Sequence, residues 1–282
     1  MAKERHETIE NSKLLYYLKG FSKKEITRLQ DFCCSPFFNK NEKLSKLLEV
    51  ILKFYPRFEL KNLKKETIHH KALKKELFND AQFNNRVSNL IKLTEDFISQ
   101  NTIENISGLS EFLKIKGLKN KQLSKGIPNI TKKFSAKIGS KNMFSPMEML
   151  LDYLVEEEKD NSYRLDNSLR FEDSINLKSG KLDAFYLVTK LRIYSEQLNR
   201  ERVFNVAFDK RLINDIISFF ESRKKDLQEY PIVWLYYDLI RVLSDEKNTT
   251  YFNEFYNRIR SEASKISPNE AALLFQHAAN YS

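Results

Sequence analysis

Apolar residues in this chain return again and again at the spacing of a helical face, and no stretch alternates with a period of two. Leu44, Leu47, Leu48, Ile51, Leu52 and Tyr55 form one such stripe. Phe83, Val87, Leu90, Ile91, Phe97 and Ile98 form a second, and Leu212, Ile213, Ile216, Ile217 and Phe220 a third, with Asp209 ahead of it as an N-cap. Sheet-rich folds spend Gly and Pro on tight turns, and here 282 residues hold six of each, well under the average of about 12% for the two together. With 41% apolar and 30% charged residues the chain can bury a core. The sequence predicts an all-α protein.

Three capping signals mark helix starts: Ser22 with Glu25, Ser145-Pro146 with Glu148, and Ser267-Pro268 with Glu270. In each, the Ser hydroxyl accepts from the amide three residues on, and the Glu reaches back. Pro36 in Ser35-Pro36-Phe37-Phe38-Asn39-Lys40-Asn41 stops one helix, Asn39 or Asn41 caps the next, and both Phe are expected to tuck beneath the turn.

Charge divides the chain. Residues 1–142 carry 29 Lys+Arg against 15 Asp+Glu, whereas residues 143–282 carry 19 against 23. Residues 112–147 hold nine Lys, no Arg and no acid, broken by Gly117, Gly126, Pro128 and Gly139. The expected organisation is an N-terminal basic helical domain (1–111), a flexible or partly helical lysine-rich connector (112–142) open to trypsin, and a C-terminal helical-hairpin region (143–282). The last part reads as helices near Leu182–Arg200, Asp209–Lys225, Ile232–Leu243, Thr250–Ala263 and Pro268–Tyr281. Pro231 and Pro268 open helices at a spacing close to the ~34-residue tetratricopeptide period, so this region is expected to be a tetratricopeptide-like α-solenoid.

The segment Phe21–Phe97, with Ser35-Pro36-Phe37-Phe38-Asn39-Lys40-Asn41 and Leu90, Leu93 and Phe97, resembles the N-terminal region of an uncharacterised Bacteroidota family. Lys190-Leu191-Arg192, Asn199-Arg200, Tyr236-Tyr237 and Asn280-Tyr281 extend the resemblance. It implies a helical fold with tetratricopeptide-like hairpins and no particular activity.

No H-E-x-x-H, G-x-S-x-G, G-x-x-x-x-G-K-[ST] or G-x-G-x-x-G occurs. His69 and His70 would point about 100° apart on a helix and read as surface residues. Glu156-Glu157-Glu158 reads as a solvated helical face, and Cys33 as a small core residue beside Cys34. No cofactor or metal is expected. No run of residues approaches the ~18 apolar positions of a membrane span, the charged Met1–Glu7 opening lacks a secretory pattern, and a cytoplasmic setting follows as the expectation.

Two functional readings come from these patterns. The first is a non-enzymatic interaction or scaffold protein that binds protein partners through a helical-repeat surface. At 100° per residue Trp234, Tyr237, Asp238 and Arg241 share one face of the helix after Pro231. They are either an aromatic–Arg partner patch or a second packing surface. The alternative is a nucleic-acid-associated factor without strong sequence specificity, touching phosphates through Lys114, Lys116, Lys119, Lys121, Lys125, Lys132, Lys133, Lys137 and Lys141. A helix-turn-helix over Thr67–Phe78 and Gln82–Ile98 would carry only Arg86 and Lys92 as cations on its second helix, thin for base readout.

Overall fold

The computed structural model describes residues 8–59, 63–141, 145–165, 171–245 and 247–281; side chains at 139–141, 160–165, 171–173, 280 and 281 lie outside the description. Thirteen α-helices and no strand occur among the described residues. They form two compact units that divide between Asn105 and Ile106.

The first unit holds α1 (Lys13–Gly20), α2 (Lys23–Cys34), α3 (Glu42–Leu52), α4 (Lys65–Ala72) and α5 (Asp80–Asn105). The Ser22 capping box forms in full. Helix α5 supports the others through Phe83, Leu90, Leu93 and Phe97, which meet Leu14, Leu18, Leu29, Leu47 and Ile51 in one core. The α2–α3 loop is tied down by Asn39, whose Nδ2 donates to the Cys33 carbonyl at 2.8 Å, while Asn41 caps α3. Phe38 stacks on Phe32 with centroids 4.0 Å apart, but Phe37 stays 85% exposed and does not tuck under the turn. His69 is buried rather than superficial, its ring edge-on to Phe78.

The second unit begins with α6 (Leu109–Asn120), a 3-10 turn (Ser124–Gly126), α7 (Ile127–Lys141) and α8 (Pro146–Leu165). The stretch expected to be a connector is therefore a helical hairpin. Pro128 lies in the first turn of α7, where its missing N–H costs nothing, and Gly126 falls in the 3-10 turn. Gly117 is simply carried inside α6. Ile115, Ile127 and Phe134 bury themselves against Leu151 and Val155 of α8. Gly108 enters α6 at φ 83°, and a Cβ there would lie 2.5 Å from the Phe134 ring. Only glycine fits both demands.

Then follow α9 (Phe171–Phe204), α10 (Ile213–Ser222), α11 (Pro231–Ser244), α12 (Thr249–Glu262) and α13 (Pro268–Tyr281). The 34-residue α9 packs on α8 and on α11; α11 in turn packs on α12, and α12 on α13. Ala184, Leu187, Val188 and Leu191 of α9 meet Ile232, Leu235, Tyr236 and Leu239 of α11. Asp209 does not cap α10. Leu212 precedes that helix at φ 62°, and Asp209 pairs with Arg211 instead. Ser267 accepts from the Glu270 amide at 3.4 Å, yet the Glu270 carboxylate turns inward to Tyr236 rather than back to the cap.

Candidate functional site

Of the two residue sets singled out in the sequence, the aromatic–Arg set is engaged in contacts within the second unit and the lysine set is divided. Trp234 Nε1 donates to the Leu227 carbonyl at 3.1 Å, and its ring meets Phe220 at 5.0 Å, edge-on. Tyr237 stacks on Phe220 at 4.3 Å and donates its hydroxyl to Glu221. Asp238 is buried and accepts from Arg258 Nε at 2.5 Å, while Arg241 reaches Glu254 at 2.7 Å and lies over Tyr251. All four are brought together, as a packing surface toward α10 and α12.

The lysines are dispersed. Lys116 and Lys119 donate to the Glu158 carboxylate at 2.5 and 2.6 Å, and Lys137 donates to Glu111 at 2.7 Å. Both carboxylates are buried, and these cations hold them below the usual carboxylate range against the opposing effect of burial. Lys114 stands about 200° round α6 from Lys116 and about 140° from Lys119, so the α6 lysines make no single strip. Lys121, Lys125, Lys132 and Lys133 are exposed; the side chain of Lys141 lies outside the described residues. In the first unit Arg86 is bound to Glu76, which removes it from a recognition role.

The acidic triplet is not a solvated face. Glu156 takes Lys181 at 2.9 Å and Lys159 at 3.0 Å, Glu157 takes Lys178 at 3.2 Å, and Glu158 takes Lys116 and Lys119. The three consecutive carboxylates thus join α8 to both α6 and α9. Among the described residues no cluster of His, Cys, Asp and Glu is arranged to hold a metal ion.

What the structure adds is a cleft of about 640 Å³ between the first half of α9 and the segment from the end of α10 to the start of α11. Helix α9 contributes Leu177, Gly180, Lys181 and Asp183; Phe219, Arg223, Asp226, Glu229 and Tyr230 face them. Gly180 has no atom within 4 Å of where a Cβ would stand. Leu177 and Phe219 are 50% and 41% exposed, so two large apolar side chains border the same opening.

Two polar groups of the cleft are shifted by their surroundings. Lys181 lies between Asp152 at 3.0 Å and Glu156 at 2.9 Å, and this pairing outweighs burial and keeps its ammonium charged. Burial and the adjacent Glu229 push the Tyr230 hydroxyl well above its ordinary range, leaving it neutral and a donor. Sequence reasoning missed the cleft because its two walls are about 40 residues apart and share no motif. One local signal was present, Gly180 inside a long helical stretch.

Comparison with protein-family models, with curated proteins and with solved structures returns no match.

Proposed function

We propose that this chain is a non-enzymatic interaction protein that holds protein partners on the tetratricopeptide-like helical-hairpin surface of its second unit, in the cytoplasm. The observation that carries the reading is the cleft beside α9, bordered by exposed Leu177 and Phe219. Partner sites of helical proteins combine apolar anchors with a polar rim, and the cleft has both. Its ammonium and phenol are held in their resting protonation states, which supports binding over acid–base chemistry. No helix among the described residues is long and apolar enough to cross a membrane.

The test is photo-crosslinking in the native host. A photoreactive phenylalanine analogue replaces Phe219 in one strain and Phe275, similarly exposed on α13, in another. Protein adducts specific to position 219 support the reading. Equal adducts at both positions, or none at 219, contradict it.

A further inference from the structure

We infer that the cleft takes a basic amphipathic segment of its partner, an apolar side chain set against Leu177 and Phe219 with lysines or arginines beside it. The inference rests on the cleft being a docking site and goes further by naming the chemistry of what docks.

The argument is one of charge. Five carboxylates line or back the cleft: Asp152, Glu156, Asp183, Asp226 and Glu229. Against them stand Lys181, Arg223 and, behind Glu156, Lys159. Lys181 cannot offer its charge outward, because one ammonium already serves two carboxylates. Arg223 faces Asp226 at 3.3 Å. Asp183, exposed on α9, makes no ion pair among the described residues, and Glu229 has a neutral tyrosine hydroxyl as its hydrogen-bonding neighbour. Two carboxylates without a cationic partner among the described residues therefore stand in one opening with two exposed apolar side chains. An acidic segment would meet repulsion there, and a purely apolar one would leave both charges facing it. A helix or strand with alternating apolar and cationic positions satisfies both features, in the manner of amphipathic segments laid into grooves. The cleft also lies in the half of the chain, residues 143–282, that carries 23 acidic residues against 19 basic ones.

The experiment uses the full chain and two fluorescein-labelled peptides of about four helical turns. Each has one leucine face; the other face is all lysine in one peptide and all glutamate in the other. Anisotropy at about 50 mM salt, where screening is weak, should show the lysine peptide binding at least about tenfold tighter. The double variant Asp183→Lys, Glu229→Lys should reverse that order. Both positions are exposed, so the fold tolerates lysine, as unchanged circular dichroism will verify. An unreversed preference, or no binding of the lysine peptide to wild type, overturns the inference. The crosslinks at position 219 separate this failure from that of the docking reading. Adducts to a partner segment without excess Lys and Arg overturn the charge argument and leave docking intact; no adducts remove both.

Discussion

Arg258 on α12 donates through Nε to the buried carboxylate of Asp238 on α11 at 2.5 Å, and its guanidinium also lies over the Trp234 ring at 5.0 Å. One arginine thus joins two members of the face that the sequence left open between a partner patch and a packing surface.

Removing the acid leaves Arg258 and Arg241 turned toward an empty site. Asp238→Ala should destabilise the chain by about 3 kcal/mol, the cost of breaking a buried pair from one side. Arg258→Ala should cost less, because that side chain is about one-third exposed. Urea unfolding followed by Trp234 fluorescence measures both. Equal stabilities for Asp238→Ala and wild type would return these residues to the surface.

Gly108→Ala tests whether residues 106–141 are a folded hairpin. The added methyl meets Phe134 at 2.5 Å, and φ 83° disfavours any side chain. A loss of about 1–3 kcal/mol is expected. In wild type, Lys116, Lys119 and Lys137 lie within helices and are bound to carboxylates, so trypsin should cut there slowly and the variant should be cut faster. Rapid cleavage of wild type at Lys116, Lys119 or Lys137 would restore the connector.

How far the sequence could be read follows from how far each partner lies along the chain. Ser22 and Glu25 satisfy each other within one turn, and the box is visible in four letters. Ser267 and Glu270 spell the same signal, but the Glu270 carboxylate is taken by Tyr236, 34 residues away, and by Arg192 at 3.3 Å. The local rule fails because a buried hydroxyl needs an acceptor more than an exposed amide does. Likewise the lysine-rich stretch looks unfoldable alone, since the acids that neutralise it, Glu111 and Glu158, lie outside it. Helical class and most helix positions depend on local periodicity and were legible. The cleft depends on two distant segments and was not.

Acid should weaken the first unit in two stages. His69 is buried with neither ring nitrogen hydrogen-bonded among the described residues, and burial together with Arg86 depresses its pKa below the ordinary 6.5. The unfolded chain then binds the proton more readily, so stability is full above about pH 6.5 and falls as pH drops below it, by at most ~1.4 kcal/mol per pH unit. Glu76, held down to about 2 by Lys43 and Arg86, adds a second loss as pH falls from about 4.5 toward 2. His69→Leu should flatten the first stage and spare the second. An unchanged profile for that variant between pH 7 and 5 would refute the assignment.

The two cysteines should differ sharply. Burial pushes the Cys33 thiol up to about 12, whereas Cys34 is exposed. One thiol should react with a disulfide reagent in the native chain, and the second only after unfolding, since the thiolate is the reacting form. Two equally fast thiols would contradict the buried position of Cys33.

The most direct test of the docking site is Phe219→Asp, assayed in parallel for melting and for co-precipitation of the host partners that crosslink at that position. A half-exposed aromatic contributes little to stability, so Tm should stay within about 2 °C of wild type, while the partners are lost. A chain that melts normally and still brings down the same partners would show that the cleft beside α9 does not hold them.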